Sequence, residues 1–205
     1  MIKCKNIYKN FHERDILKDV NLSIKNGEIT LLSGPSGGGK STLLRIMSGL
    51  DKADKGQVFL NQMDIDTQTD IYPDISIVFQ QLFLWPHLSN RENITLAFDK
   101  TSRNDLVEYY IEYFGLEECI DKYPNESSLG QKQRIALIRA LVLEPKYLLL
   151  DEVTSALDKK NVVKVIDLLK KLQDKNTAIL IISHDMRVLN TFKDNQYHLE
   201  NGNLS

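Results

Sequence analysis

Apolar and polar positions alternate along several short stretches in the first 80 residues. Val20–Ile24 alternates in this way, which is typical of a strand with one buried face. Asn26 and Gly27 follow it, and both residues tolerate positive φ. We therefore expect a two-residue hairpin turn there, with Glu28–Ser33 as the returning strand. Two further short strands are predicted at Gln57–Asn61 and Ile75–Phe79.

The spacing becomes helical further along the chain. Apolar residues in Asn104–Phe114 recur four residues apart, and Gly115 is a typical helix stop. Similar spacing predicts helices over Gln131–Val142 and around Val162–Leu172. Tyr147–Leu150 and Ala178–Ile182 are continuous apolar runs, the pattern of strands buried on both faces. Strands that alternate with helices predict a largely parallel sheet with covered faces, within one composite domain.

Composition and charge narrow the class of protein. The chain has 205 residues, 42% of them hydrophobic, and a net charge of −2. These values exclude disordered and collagen-like chains. A net charge this close to zero also creates no strong electrostatic field that would attract nucleic acid or an anionic membrane surface. No apolar run approaches the roughly 20 residues that span a bilayer, and the N-terminus has no apolar signal region. Cys4 and Cys119 form no CxxC motif, which suits a reducing compartment. We expect a soluble intracellular protein.

A glycine-rich segment carries the first chemical signal. Gly34–Ser41 matches GxxxxGK[ST], follows the apolar residues 29–32 and precedes a helical run at Thr42–Ser48. This context favours a phosphate-binding loop over a glycine-rich surface turn. Backbone N–H groups and the helix N-terminus would surround the phosphates. Lys40 would reach the β- and γ-phosphates and the Ser41 hydroxyl would bind Mg²⁺. The nucleotide-binding residues expected in this segment are Gly34, Ser36, Gly37, Gly38, Gly39, Lys40, Ser41 and Thr42.

Two adjacent carboxylates end a predicted buried strand. Asp151 and Glu152 follow Tyr147–Leu150 directly, and open α/β sheets bind ligands at the carboxyl ends of their strands. Asp151 suits Mg²⁺, held directly or through water. Glu152 suits the general base that polarises the attacking water. A polar strand end at solvent is the plainer alternative, and the phosphate loop makes it the weaker one.

With these motifs in this order, the chain resembles the nucleotide-binding subunit of an ATP-binding cassette (ABC) transporter over essentially its whole length. The resemblance implies an α/β fold: a P-loop (RecA-like) core with a mostly parallel sheet, an N-terminal antiparallel β subdomain and an inserted helical subdomain. The approximate divisions would be residues 1–80, 81–143 and 144–205 of a single domain. ATP and Mg²⁺ are the implied cofactors.

The resemblance assigns further residues. Gln80 stands where the family has a glutamine that contacts Mg²⁺ and the attacking water. The segment 127–134 stands where the family has LSGGQxQR, and Ser128, Gly130 and Gln131 match it. Two positions depart from this pattern, because Ser127 replaces a leucine and Leu129 replaces a glycine. If the family's glycine is needed for close approach or positive φ, leucine at 129 would hinder closure around ATP.

Three more positions match the family's pattern. Asp158, in Ser155–Asp158, matches a loop that crosses the family's dimer interface, although Val153 replaces the usual proline before it. His184 matches the histidine that senses the γ-phosphate. Phe11 stands where the family places an aromatic residue against adenine, with Tyr8 as the competing candidate and core packing as the alternative role.

The implied function is ATP hydrolysis that drives transport through a separate transmembrane subunit. Two cassettes would pair head to tail, as two copies of this chain or with a homologous subunit, at the cytoplasmic face of a membrane. The partner would dock near Gln80–Pro86, whose apolar residues are either exposed there or buried against the helical subdomain. The segment 79–88 looks like those of polar amino-acid importers, although a separate cassette also fits some exporters.

Two alternatives remain from the sequence. One is an ABC ATPase that acts without a membrane partner, although no basic stretch indicates a nucleic-acid surface. The other is an ATP-holding subunit with weak hydrolysis in a heterodimer. Leu129 motivates this second alternative, while Glu152 and His184 argue against it.

Overall fold

The N-terminal strands form an antiparallel sheet. A computed structural model describes residues 1–12, 14–68, 71–96, 98 and 103–205. In it, β1 (Ile2–Phe11) pairs with β2 (Arg14–Ile24) and β4 (Lys55–Leu60), and the short β5 (Met63–Asp64) completes the order β2-β1-β4-β5. The family resemblance implied this antiparallel β subdomain, and it is confirmed.

A second, mostly parallel sheet forms the centre of the molecule, as the alternation of strands and helices predicts. Its order is β10-β9-β3-β8-β7-β6, and only the β9–β10 pair is antiparallel among the described strands. The strands are β3 (Ile29–Ser33), β6 (Ile75–Val78), β7 (Tyr147–Asp151), β8 (Ala178–Ile182), β9 (Gln196–Glu200) and β10 (Asn203–Leu204). Because β3, β6, β7 and β8 run parallel, the segments that follow them meet at one edge of the sheet.

Helices cover both faces of this sheet. They are α1 (Lys40–Met47), α2 (Asn90–Thr95), α3 (Asn104–Phe114), α4 (Leu129–Leu141), α5 (Lys159–Asp174) and α6 (Met186–Thr191). Leu148, Leu150, Ile179 and Ile181 face the core that α3, α4 and α5 share, while Leu149 and Leu180 face the core of α1 and the antiparallel sheet. Alternate residues of the same strands therefore belong to two cores, which explains their continuous apolar runs. No helix in the described part of the chain is long and apolar enough to cross a membrane.

One predicted local structure is wrong. Asn26 and Gly27 do not close a hairpin, because β2 pairs with β1 in the antiparallel sheet while β3 pairs with β8 and β9 in the parallel one. The turn connects two sheets. An Asn-Gly hairpin does occur at Asn201 and Gly202, between β9 and β10, with φ of 51° and 83°. The strands β1, β5, β9 and β10 and the helices α2 and α6 had no predicted counterpart.

Candidate nucleotide site

The glycine-rich segment lies between β3 and α1, as the sequence predicts. Gly34 follows β3 directly with a φ of 140°, and a Cβ there would lie 2.0 Å from the Leu199 carbonyl oxygen. Only glycine allows the loop to pass this close to β9. Ser36 and Gly37 at the loop tip are exposed, and Gly39 precedes the first helical residue, Lys40. Thr42 follows in the first turn of α1. A loop of this kind followed by a helix start presents backbone N–H groups to an anion, and one of them, that of Gly38, donates to the Pro35 carbonyl oxygen at 3.1 Å.

Lys40 is buried under this loop. Its ammonium donates to the carbonyl oxygens of Gly34 at 2.7 Å and Pro35 at 2.9 Å. Because both acceptors belong to the loop itself, the cation lies inside the arc that the loop describes. A positive charge held inside this loop is a suitable partner for phosphate oxygens.

Two oxygen ligands meet beside the lysine. The Ser41 hydroxyl donates to the Asp151 carboxylate at 2.6 Å, which joins the start of α1 to the end of β7. Burial raises the pKa of the Asp151 carboxyl, and the nearby Glu152 adds to this, while the Ser41 hydrogen bond and Lys40 act in the opposite direction. A hydroxyl and a carboxylate are the hard oxygen donors that Mg²⁺ prefers, so these residues fit that ion.

Glu152 lies between two other predicted residues. Its Oε1 is 3.5 Å from His184 Nε2, and its Oε2 accepts from Gln80 Nε2 at 3.4 Å. Gln80 follows β6, Glu152 follows β7 and His184 follows β8, so three neighbouring strand ends bring them together. Glu152 has a φ of 51°, in the left-handed region that side chains other than glycine seldom adopt. The arrangement can hold a water molecule near a carboxylate that accepts its proton.

A cleft of about 610 Å³ opens beside the phosphate loop. Its walls are the loop residues Pro35–Gly38, the β2 residues Arg14–Ile16 and Lys18, and the Asn201–Gly202 turn. The sequence analysis missed the contributions of β2 and of the C-terminal turn. No signal in the sequence identifies them, because both segments reach the loop through long-range packing, of β10 against β2 and of Ile16 against Gly39.

Phe11 is half exposed at the end of β1, with 49% of its surface accessible, so core packing does not explain it. The Lys9 ammonium lies 5.4 Å from its ring centroid. Tyr8 is also accessible and has Lys55 Nζ at 5.9 Å. Both rings offer a π-face, and the choice between them for adenine stays a prediction.

The segment 127–131 forms the start of α4. The Ser128 hydroxyl accepts from the Gln131 N–H at 3.2 Å, and Gln131 Oε1 accepts from the Ser128 N–H at 2.7 Å, a reciprocal helix cap. Leu129 is 63% exposed and does not have positive φ. At Gly130, a Cβ would lie 2.9 Å from the Ala156 carbonyl oxygen. Packing within this chain therefore requires glycine at 130 and not at 129.

These residues are separate from the phosphate loop of the same chain. No hydrogen bond joins residues 128–131 to residues 34–41, all of which belong to the described part of the protein. Asp158 is likewise engaged locally, because its Oδ1 accepts from the Asn161 N–H at 2.8 Å and caps α5. Within one chain, the structure shows no hydrogen bond from Ser128, Gly130, Gln131 or Asp158 to the described loop residues.

A phosphate loop between a parallel strand and a helix, with two carboxylates at the end of a nearby parallel strand, defines a P-loop nucleotide hydrolase. The family described as "ABC transporter" matches residues 17–155. The glutamine transport ATP-binding protein GlnQ of Bacillus subtilis (strain 168) is 35% identical over 100% of this chain and 88% of its own length. The probable sulfate/thiosulfate import ATP-binding protein CysA of Chlorella vulgaris is 39% identical over 99% and 89%.

Solved structures agree with these relatives. A dimeric structure of MJ0796, a bacterial ABC transporter cassette, has a TM-score of 0.90 and 36% identity over 98% of this chain and 95% of that one. The same cassette in a post-hydrolysis state, bound to ADP and Pi, has a TM-score of 0.87 at 32% identity over 100% and 98%. The chain belongs to the ABC transporter family, as an ATP-binding and ATP-hydrolysing subunit that powers transport.

Proposed function

We propose that this chain hydrolyses Mg²⁺-bound ATP at Glu152, within a head-to-tail pair of cassettes. The observation that carries the proposal is the position of Glu152, within 3.5 Å of both Gln80 and His184 and one residue beyond the Ser41–Asp151 pair. Glu152 accepts the proton of the water that attacks the γ-phosphate. Gln80 and His184 orient this water and the γ-phosphate.

The phosphate loop supplies the binding part of the site. Lys40 exchanges the carbonyl oxygens of Gly34 and Pro35 for the β- and γ-phosphates, while N–H groups of Ser36–Gly39 and Thr42 bind phosphate oxygens. Ser41 and Asp151, with Gln80 beside them, are the residues that would hold Mg²⁺, which when bound neutralises charge on the phosphates. Phe11 stacks on adenine at the end of β1, where its ring is accessible.

The remaining site residues complete the partner's nucleotide site. Ser128, Gly130 and Gln131 present the capped N-terminus of α4, and a helix N-terminus attracts phosphate. Asp158 lies at the same interface. Two observations support this arrangement: these residues make no hydrogen bond to the loop of their own chain, and the MJ0796 cassette of similar fold is described as dimeric. The whole chain acts as one ATPase domain, with its core interrupted by a helical subdomain over residues 81–143.

The pair of cassettes lies at the cytoplasmic face of a membrane, and its partner is a separate transmembrane permease. It docks near Gln80–Pro86, where Phe83 and Trp85 are each about half exposed. Arg139 of α4 donates to the carbonyl oxygens of Leu82 at 2.8 Å and Phe83 at 2.9 Å, which fixes this segment on the helical subdomain. The cargo class we propose is a polar amino acid taken up by the cell, on the basis of the glutamine transport relative.

The test is the Mg²⁺-dependent ATPase rate of the purified chain over a range of protein concentrations, with Glu152→Gln as the control. We expect the rate per molecule to rise with concentration and to be lost in the control, because a complete site needs two chains. A rate that is independent of concentration would contradict shared sites. A rate that survives in Glu152→Gln would contradict the proposed base.

Leu129→Gly in the same assay separates a homodimer from an ATP-holding subunit with weak hydrolysis. Since Leu129 is exposed and unstrained, we expect less than about a threefold change in turnover, the range of a surface substitution worth up to ~0.5 kcal/mol. A many-fold increase would instead support the heterodimer alternative.

A further inference from the structure

Gln133 is a buried amide at the centre of the contact between α4 and the segment that follows β7. Only 3% of its surface is exposed. Its Nε2 donates to the Glu152 carbonyl oxygen at 2.8 Å and to the Ser155 hydroxyl at 3.3 Å. Its Oε1 accepts from the Ala156 N–H at 3.0 Å. One side chain therefore binds residues 152, 155 and 156, all on a single short segment.

The Glu152 backbone needs such support. Its φ of 51° lies in the left-handed region, where the backbone of a residue with a side chain is strained unless its surroundings hold it. The Glu152 N–H donates to the Ile182 carbonyl oxygen at 2.9 Å, and its carbonyl oxygen accepts from Gln133 and from the Ser155 N–H at 3.2 Å. Both peptide groups that flank the Glu152 Cα are thus fixed, and with them the direction of the side chain.

The first turn of α4 contacts the same segment at a second point. Gly130 lies so close to the Ala156 carbonyl oxygen that a Cβ would be 2.9 Å from it. The N–H of Ala156 is therefore bound by Gln133, and its carbonyl oxygen packs against Gly130. Since both residues belong to α4, the helix cannot shift without moving residues 152–156 or breaking these contacts.

We infer that Gln133 is a positioning residue that ties the orientation of the Glu152 carboxylate to the position of α4. The inference rests on the proposed role of Glu152 as the base. In the proposed pair, the N-terminus of α4 faces the nucleotide of the partner, whereas Glu152 acts on the nucleotide of its own chain. Gln133 therefore transmits the occupancy of one ATP site to the base of the other.

The experiment compares Gln133→Met, which keeps the length of the side chain and removes its hydrogen bonds, with the unmutated chain. Asn195→Ala is the matched control, because it removes an amide that donates to the Thr30 hydroxyl at 2.7 Å, near the opposite end of β3 from the phosphate loop. Three quantities are measured: ATP affinity with a fluorescent ATP analogue, turnover at saturating ATP, and hydrogen exchange of the peptide covering 152–158.

For Gln133→Met we expect an unchanged affinity for ATP and a turnover lower by about 10- to 100-fold, since a misplacement near 1 Å has an effect of that size. Exchange of the 152–158 peptide becomes faster because the Ala156 N–H loses its acceptor. Addition of ATP slows exchange at the start of α4 and at 152–158 together in the unmutated chain, and no longer does so together in the variant. Asn195→Ala keeps its turnover.

Gln133→Glu provides the second variant. Its carboxylate still accepts from the Ala156 N–H but has no donor for the Glu152 carbonyl oxygen, so we expect protected exchange at 156 with turnover as low as in Gln133→Met. Normal turnover in Gln133→Glu would overturn the inference, as would a parallel loss of ATP affinity and turnover in Gln133→Met. If the unmutated chain has no turnover, the proposed ATP hydrolysis by a pair of copies of this chain fails. The exchange measurements then still decide whether Gln133 holds Glu152.

Discussion

Positions 129 and 130 show how much one Cβ matters at the residue scale. Leu129 replaces a glycine of the family's pattern, yet its side chain is mostly exposed and its backbone unstrained. Gly130 matches the pattern, and here the carbonyl oxygen of Ala156 leaves no room for a larger residue. The constraint on this segment therefore comes from the packing of α4 on residues 152–156 in the same chain.

Gly130→Ala and Leu129→Ala together test whether the contact with Ala156 requires glycine at 130. We expect Gly130→Ala to lower the free energy of unfolding by about 1–3 kcal/mol, because the new Cβ displaces a backbone carbonyl. Leu129→Ala should change it by less than about 0.5 kcal/mol, as is usual for an exposed position. Urea denaturation measures both values, and equal losses in the two variants would show that the contact is not a constraint.

At the scale of the secondary-structure element, the described helices α2 and α4 begin with the same kind of capping box. Ser128 begins α4 with a reciprocal cap to Gln131, and Ser89 begins α2 with a reciprocal cap to Glu92. In each pair the serine hydroxyl accepts a backbone N–H while the longer side chain accepts the serine N–H. The two caps should therefore stabilise the protein alike. Only that of α4 has a proposed part in the reaction.

Ser128→Ala and Ser89→Ala test whether the two caps stabilise the protein alike while only the cap of α4 affects turnover. Each loses the acceptor for one N–H of a helix start, so we expect each to lower stability by about 1 kcal/mol. Turnover should fall in Ser128→Ala and stay unchanged in Ser89→Ala. Thermal unfolding and ATPase rates are measured side by side, and a loss of turnover in both variants would assign the effect to general destabilisation.

The two cysteines lie in different cores of the whole molecule. Cys4 belongs to the core of the antiparallel sheet and α1, whereas Cys119 packs with α3 and α4. Burial raises the pKa of the Cys4 thiol to about 12. Burial also raises the pKa of the Cys119 thiol, but the cations Arg134 and Lys122 act against it. A thiol that stays protonated in the native state makes stability depend on pH.

Above the ordinary thiol pKa of about 8.5, the unfolded chain loses the Cys4 proton while the native state keeps it. The free energy of unfolding therefore falls with rising pH, by about 1.4 kcal/mol per unit from this group between pH 8.5 and 12. We expect Cys4→Ala to have a shallower slope than the unmutated chain in urea denaturation from pH 8 to 10. Cys119→Ala should change the slope less. Parallel slopes for Cys4→Ala and the unmutated chain would contradict the shifted pKa.

Much of this architecture is local in the sequence. The helix over Asn104–Phe114 has the predicted bounds, because its apolar spacing and the Gly115 stop lie within a dozen residues. The phosphate loop and the carboxylates at 151 and 152 are also contiguous motifs, with a strand and a helix that can be identified beside them. Such features need only side-chain periodicity and backbone propensity, and both act over short distances along the chain.

The pairing of segments that are distant in sequence was decided by the tertiary structure. Asn26–Gly27 and Asn201–Gly202 have the same two residues, but only the second pair closes a hairpin, since β3 gains more by burial between β8 and β9 than by pairing with β2. The cleft beside the phosphate loop is likewise built from β2 and the C-terminal turn. Gln133 stands at the second glutamine of the LSGGQxQR pattern, but its partners are set by residues 152–156, which lie opposite it in the fold.

The sequence by itself determined the family, the phosphate loop and the two candidate carboxylates. Each is recognised from a short run of contiguous residues, whose types and order are enough to indicate the chemistry. The tertiary structure alone decided that Gln80, Glu152 and His184 meet, that glycine is required at 130 and not at 129, and that one buried amide joins α4 to the base. These depend on distances between strand ends and helices, which long-range packing sets and no local pattern encodes.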